Sequence, residues 1–491
     1  MFKKISPEQA GISSANVEKF IRTLERRGLA MHSVLLMKGE DIFAEYYWKP
    51  FHKDFCHRMY SQTKSFVGIA IGLLEEDGLV ELDAPIRTYF PDKIDRELPE
   101  YLAPLTVRQL LNMQTAGSTP SWFTHTDPDR AHLYFAENRA TRPAGMQWEY
   151  DSPGSQVLCC LVERLSGKSL FDFLNERIFR HLGTFRTATI LKTKNDDSFG
   201  DSALLCTTRD MASFGRFVMN YGTWQGQRLM NEAYLRTATS RLADNDRIGF
   251  NGSFSHGYGY QIWTVPQGFA FNGMGAQLTL CLPEKDLIFS CTGDNQGFAA
   301  AKDLIWSAFY ELIVDELGDT PLPEDPAAYN RCLALEDQLE LAGLWGDAAS
   351  PCAQRLDGKT FLCQENPMGI REFKLRFLPD GTGQLHYVNE QGSKCLSFGL
   401  GKNAFGKFPQ EGYSTLHAGA PNEEGYLYDC AACAVWREPE KLLMKVQLID
   451  QYFGNLLMTF SFREDVAVVT MAKTAEHFLE EYQGQLIARM Q

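Results

Sequence analysis

Two residues three apart carry the first chemical signal in the chain. They are Ser61 and Lys64, within Met59-Tyr60-Ser61-Gln62-Thr63-Lys64-Ser65-Phe66-Val67-Gly68-Ile69-Ala70. Apolar Phe66, Ile69, Ala70, Leu73 and Leu74 recur at helical spacing. That pattern predicts a buried helix running to about Asp77 and stopping at Gly78, a residue suited to a left-handed cap. Ser61 falls at its first turn, where free backbone N–H groups and the positive end of the helix dipole favour developing negative charge. Lys64 lies one turn further on, so its amine can return to the hydroxyl. A serine becomes a nucleophile only with a base beside it, and a lysine amine kept out of water can hold that role. The same pair also reads as a serine cap followed by an ordinary surface lysine, because Ser-x-x-Lys arises by chance in chains of average composition.

Elements on either side of this helix have to position the pair. A helix is expected over Ser14–Arg27, then a hairpin of two strands, Ser33–Lys38 and Asp41–Tyr47, turning at Gly39-Glu40. Helices are expected over Thr106–Met113, Gln156–Leu165, Thr208–Tyr221 and Asn231–Ala238. Strands return at Tyr260–Val265, Phe269–Phe271, Gln277–Leu282 and Leu287–Thr292, followed by a long helix over Ala299–Leu317. Early strands, a helical middle and late strands imply an α+β domain whose antiparallel sheet joins both ends of the segment around a helical insertion. Ser61 would lie where sheet and insertion meet. The stretch Thr115–Thr141, with Trp122, Phe123, His125, His132 and Phe135, lacks periodicity and reads as an irregular loop, either site-lining or simply packed.

Composition changes at Gly318-Asp319-Thr320-Pro321-Leu322-Pro323-Glu324-Asp325-Pro326. Prolines with acids mark a linker, which gives a domain over 1–317, a linker over 318–330 and a second domain over 331–491. A helix over Ala327–Leu341 is followed by seven short strand-like runs between Phe373 and Met471. These suit a small antiparallel barrel or sandwich, ended by a helix over Thr474–Met490.

The balance of 48 basic and 62 acidic residues gives a net charge of −14. No basic surplus exists to neutralise phosphates or to hold an anionic membrane surface, so neither partner is expected. Two lysines near the start are not followed by an apolar run, and no apolar stretch is long enough to span a bilayer; a cytoplasmic protein is expected. Twelve cysteines, several in apolar contexts such as Cys159, Cys160, Cys281 and Cys291, read as reduced and buried. Cys430 and Cys433 form a lone Cys-x-x-Cys without a second ligand pair, so no metal site is expected there.

Ser61-Gln62-Thr63-Lys64, Tyr150-Asp151-Ser152 and the late-strand Gly273 together resemble the three motifs of the serine β-lactamase and penicillin-binding-protein superfamily. The branch most similar is that of class C β-lactamase-like esterases, amidases and D-aminopeptidases. Further matching segments are Leu105-Thr106-Val107-Arg108-Gln109-Leu110-Leu111, Pro143-Ala144-Gly145, Thr207-Thr208-Arg209-Asp210-Met211-Ala212, Met274-Gly275-Ala276-Gln277 and Pro283-Glu284-Lys285-Asp286-Leu287. The likeness covers roughly residues 5 to 317, and the C-terminal region resembles lipocalin-like β domains fused to some members.

The resemblance implies a cofactor-free, two-step acyl transfer. Ser61 would attack an ester or amide carbonyl while Lys64 and Tyr150 share the proton transfers; which of them takes the serine proton stays open. The oxyanion hole would be the backbone N–H groups of Ser61 and Met274. Ser152 stands where many relatives have asparagine, and its hydroxyl lacks the amide's two donors. Relatives with lactamase or peptidase activity often carry Lys-Thr-Gly or His-Thr-Gly on the strand edging the site, whereas this chain has Phe271-Asn272-Gly273. A phenylalanine cannot bind a carboxylate, so Phe271 points to a neutral or apolar substrate. Asn272, Gly273 and Trp122 complete the expected surroundings, while Trp148 reads more as core packing than as an apolar wall of the site. His256, in a Tyr-Gly-Tyr-Gly-like segment, reads as a strand lead-in more than a third catalytic group. The competing readings are a penicillin-recognising D-aminopeptidase, carboxypeptidase or β-lactamase, and a catalytically retired scaffold that binds a ligand or partner. Oligomerisation is compatible with all of them.

Overall fold

A computed structural model describes residues 2–122, 125–246, 252–411, 425–474 and 479–491. Two compact units divide the chain between Glu340 and Leu341. In the first unit, seven strands form one sheet: β1 Lys3–Lys4, β2 Met31–Lys38, β3 Asp41–Tyr47, β4 Trp263–Val265, β5 Gly268–Gly273, β6 Gln277–Leu282 and β7 Leu287–Gly293. Their order is β1-β3-β2-β7-β6-β5-β4, so the early hairpin meets the late strands through the β2–β7 pair, and only β1 joins in parallel.

Side chains alternate across this sheet and feed two cores. Leu35, Met37, Phe269, Phe271, Cys281 and Ile288 enter one apolar cluster; Val34, Leu36, Ala270, Leu280, Leu282 and Phe289 enter the other. Both faces are thus covered, which explains why the strands read as near-continuous apolar runs. The second cluster is closed by helix α1 (Ser14–Arg26), whose Val17, Phe20, Ile21 and Leu24 form its apolar stripe. The first cluster surrounds helix α2 (Thr63–Glu76), in which every residue from Thr63 to Leu74 is buried. Phe66 of α2 stacks on Phe214 at 3.8 Å between ring centroids. Beyond the cap residue Asp77, Gly78 takes φ +70°, the left-handed stop expected of it.

Helix α3 (Ser152–Ser166) packs against α2, and helix α4 (Ala301–Phe309) continues into a wider turn over Tyr310–Val314. The strand expected from Tyr260 begins only at Trp263, because Gln261 sits at φ +57° and breaks the extended run. Within the expected loop, a helix occupies Arg130–Glu137, capped by Asp129 accepting from the His132 amide; Phe123 lies outside the described residues. The first unit continues through the proline-rich segment and the helix Pro326–Glu336. Leu322 N–H donates to Glu8 O at 2.8 Å, and Leu335 and Leu339 join the cluster of Phe20.

In the second unit the strands are β8 Thr360–Cys363, β9 Glu372–Phe377, β10 Thr382–Asn389, β11 Gly392–Leu400, β12 Ala404–Glu411, β13 Leu427–Glu438, β14 Lys441–Ile449, β15 Phe453–Arg463, β16 Val466–Thr474 and β17 Gly484–Met490. Nine of them close a barrel in the order β11-β10-β9-β8-β17-β16-β15-β14-β13, sealed by a parallel β11–β13 pair, with β12 laid along β13. A barrel, not a sandwich, is therefore the outcome. The helix expected over Thr474–Met490 is overturned: residues 475–478 lie outside the described residues, and β17 pairs with both β8 and β16. Its burial alternates, with Leu486 and Ala488 inside and Gln485, Ile487 and Arg489 outside, a period of two that tertiary pairing selects over local helix preference.

Candidate active site

Ser61 occupies a single tight turn, Tyr60–Gln62, that leads directly into α2. Tyr60 immediately before it holds φ +48°, a left-handed conformation that costs energy for an aromatic residue and must be fixed by its neighbours. The fixing contacts are on every side. Met59 N–H donates to Leu204 O at 2.8 Å, Thr63 Oγ1 donates to Tyr60 O at 2.6 Å, and Leu204 N–H donates back to Thr63 Oγ1 at 3.1 Å. Buried Gln62 accepts from Thr279 Oγ1 of β6 at 2.9 Å, tying the turn to the sheet. Gly273 on β5 lies so close that a Cβ there would sit 2.3 Å from Met59 O, so only glycine permits this approach.

Lys64 is 1% exposed, which removes the surface-lysine reading. Its Nζ donates to Ser61 Oγ at 3.1 Å and to Asp201 O at 2.6 Å, and lies 5.1 Å from the centroid of the Tyr150 ring. Nor is Ser61 a cap: no side-chain capping bond closes either the turn or the start of α2. Asp201, 2% exposed, has its carboxyl pushed up by burial, a change opposed by the charge of Lys64, and its Oδ2 has no hydrogen-bond partner.

Tyr150 enters from the residue before the cap of α3. Asp151 caps that helix by accepting from Gly154 N–H at 3.1 Å and also accepts from Tyr134 Oη at 3.3 Å; burial pushes its carboxyl up to about 6. The Tyr150 ring stacks on Trp263 at 5.8 Å, and Trp148 backs both rings from the core. Met274 begins the turn from β5 to β6. Its carbonyl accepts from Gln277 Nε2 at 2.8 Å, and the same amide group exchanges bonds with Gly293 at 2.6 and 3.1 Å, which fixes the peptide that follows Met274.

Ser61, Tyr150, Asn272, Gly273 and Met274 line one cavity of 970 Å³, together with Trp263, Phe254 and Lys302. The structure thus brings the expected nucleophile, its proton partners and both residues of the expected oxyanion hole into one place. Other expected neighbours lie elsewhere. The pleat of β5 turns Asn272 to the cavity and Phe271 to the opposite face, where Phe271 is fully buried against Phe214 at 5.3 Å. The substrate preference read from Phe271 therefore has no contact behind it. Ser152 is the first residue of α3 and is not among the cavity residues. Trp122 is 2% exposed beneath the Arg130 guanidinium, which donates to its carbonyl at 2.7 Å, and it too is absent from the lining. His256 is exposed, and its carbonyl accepts from Thr264 Oγ1 at 2.7 Å. Cys430 and Cys433 fall three apart on β13 and so on opposite faces of the barrel wall.

Three residues escaped the sequence reading. Trp263 was hidden inside a strand-like run, and Gln277, though named in a matching segment, was given no part in the site. Lys302 follows three alanines, too small to screen it; that was its one sequence signal. Its Nζ donates to Asn272 Oδ1 at 2.6 Å, and burial pulls the amine down to about 8.

The chain is similar to several known proteins. It is 27% identical over 247 residues to the 6-aminohexanoate-dimer hydrolase of Paenarthrobacter ureafaciens, a match covering 47% of this chain and 63% of the relative's length. The match thus spans less than two thirds of that relative. A penicillin-binding-protein homologue from Caulobacter crescentus superposes with a TM-score of 0.52 at 15% identity, over 63% of this chain and 99% of its own. The octameric penicillin-binding-protein homologue from Pyrococcus abyssi superposes with a TM-score of 0.50 at 15% identity, over 96% of this chain and 99% of its own. At those identities the two structures speak to fold alone. The family model described as Beta-lactamase matches residues 15–304, more than half of the chain and the whole of the motif-bearing region. With that match and the fold in agreement, the chain belongs to the β-lactamase family.

Proposed function

We propose that this protein is a serine hydrolase that cleaves an ester or amide through an acyl-enzyme on Ser61. The observation that carries the reading is the 3.1 Å bond between Lys64 Nζ and Ser61 Oγ, made by a buried lysine to a serine that lines one cavity with Tyr150. In this reading Lys64 or Tyr150 accepts the serine proton as Oγ attacks the carbonyl carbon, and the pair returns a proton to the leaving group. The N–H groups of Ser61 and Met274 hold the carbonyl oxygen as it gains charge. Water then attacks the acyl carbon, and Ser61 recovers its proton. The family match and the amide-cleaving name of the Paenarthrobacter relative support hydrolysis and put amides beside esters among the candidate substrates.

The test is turnover of p-nitrophenyl acetate and of a short-chain p-nitroanilide by the native protein and Ser61→Ala. Cleavage that disappears in the variant is expected. Undiminished cleavage by Ser61→Ala, or failure of the folded native protein to cleave either, would remove the proposal. Covalent labelling of Ser61 by a fluorescent penicillin would move the substrate class towards peptidase or lactamase chemistry. Assembly, raised by the octameric relative, is read by light scattering on the purified chain.

A further inference from the structure

Lys302 sits in the first turn of α4, and its side chain lines the cavity that holds Ser61, on the same side as Asn272. Among the described residues its one side-chain hydrogen bond goes to a neutral acceptor, Asn272 Oδ1. Among the described residues no carboxylate lies within ion-pair distance of it. Asp303, its neighbour in sequence, is exposed and accepts instead from the Ser253 amide at 3.0 Å and from the Ser253 hydroxyl. An ammonium has three donors, and Asn272 uses one. Burial has lowered this amine to about 8, so at neutral pH most of it is still charged. Charges withdrawn from water are ordinarily paired, because removing a cation from water without an anion is unfavourable. A half-buried, charged and incompletely paired donor on the cavity that a nucleophile also lines is suited to an anion.

We propose that Lys302, oriented by Asn272, binds a carboxylate of the substrate, so that Ser61 acts on esters or amides carrying an anionic group. This builds on the hydrolase reading and reverses the substrate preference expected from Phe271. The strand position carries no cation, but α4 supplies one to the same cavity from the side. The Asn272 contact holds the ammonium against β5, on the cavity that Ser61 and Met274 also line. Lys302 and Asn272 touch substrate in this account without taking part in bond making or breaking.

Two matched pairs of esters test it: p-nitrophenyl hydrogen glutarate against p-nitrophenyl butyrate, and p-carboxyphenyl acetate against phenyl acetate. They place the carboxylate on the acyl and the leaving side in turn. The native protein is expected to favour one charged ester over its neutral partner. Lys302→Met should lower kcat/KM for that ester by about 10- to 100-fold, mainly through KM, and change the neutral one by less than about threefold. Lys302→Arg, which keeps the charge, should retain part of the preference. Equal losses on charged and neutral esters in Lys302→Met would show that the lysine only braces β5, and absence of preference in the native protein would overturn the proposal outright. Binding separates this from the hydrolase reading. Glutarate, but not glutaramide, should perturb Trp263 fluorescence in Ser61→Ala protein, and the response should vanish on adding Lys302→Met. Lys302-dependent glutarate binding without any ester turnover leaves the anion site standing and removes the hydrolase; Ser61-dependent turnover with no carboxylate effect does the reverse.

Discussion

Two buried polar constellations, one in each unit, differ in what they leave unspent. In the barrel, Tyr387 and Tyr482 join hydroxyl to hydroxyl at 2.7 Å, Tyr482 donates on to Gln410, Asn389 donates to the same Gln410 oxygen at 3.1 Å, and Gln410 donates to Glu481. The Gln410 oxygen takes two donors while its amide group donates on, so the polar atoms largely satisfy one another inside the wall. In the first unit, Lys64 donates to a serine that lines a cavity, Lys302 lines the same cavity, Asp201 Oδ2 has no hydrogen-bond partner among the described residues, and Tyr60 stores a left-handed conformation beside the serine. Closed networks specify structure, whereas open ones next to strained backbone are where chemistry is prepared. The sheets differ in the same way. The barrel pairs nine of its ten strands into a ring, while the seven-stranded sheet ends its β5 ladder at Gly273 and presents the next peptide, that of Met274, to the site.

Breaking the open constellation should cost activity with little loss of stability. Lys64→Met is expected to reduce kcat for p-nitrophenyl acetate about a thousandfold or more, measured by steady-state absorbance, with near-native circular dichroism. Retention of a tenth of the activity would remove Lys64 from proton transfer. Gly273→Ala is a sharper probe, because its Cβ would meet Met59 O at 2.3 Å and push the serine turn away from the strand. A misplacement on that scale predicts roughly a hundredfold loss in kcat, and an unchanged rate would mean that the approach of β5 to the turn does not matter for catalysis.

Asp151 lies between the two cases, a cap inside the core beside Tyr150. Its folded carboxyl titrates near 6 instead of its ordinary 3.8, so the native state holds a proton that the unfolded chain has already lost. The linkage sign follows: stability falls as pH rises between those values and stays lower above them. Asp151→Asn keeps an acceptor for Gly154 N–H without the charge. It should therefore gain about 1–3 kcal/mol at pH 8, read from urea denaturation, and lose the acid-side slope. A destabilised variant at pH 8 would contradict this. The smallest effect belongs to the closed network. Tyr482→Phe should cost about 1–2 kcal/mol in the second unit's unfolding and leave ester hydrolysis unchanged. Any loss of turnover there would break the division between the two constellations.

Much of the site was legible because its signals are local. Ser61 and Lys64 are one turn apart whatever surrounds them, and the apolar period of α2 together with Gly78 fixes the helix that carries Lys64. Gly273 was visible as a small residue on a late strand, although the reason for it, Met59 O, is a long-range contact. Phe271 was misread because a strand's period of two separates faces but does not say which one meets the cavity; only pairing with β6 and the packing of Phe214 decide that. Lys302 was missed for a related reason: the alanines before it do not announce that α4 begins beside β5. At the other end of the chain, β17 reads as helical locally and becomes a strand because β8 and β16 each offer it a ladder.

The central claim is that Ser61 carries the acyl group, and acid-quenched protein from a p-nitrophenyl acetate reaction tests it most directly by peptide mass spectrometry. One acetyl group on the peptide holding Ser61, absent from Ser61→Ala and strongly reduced in Lys64→Met at the same quench time, is the predicted result. Acetylation confined to another residue, or steady turnover that continues in Ser61→Ala, would contradict it.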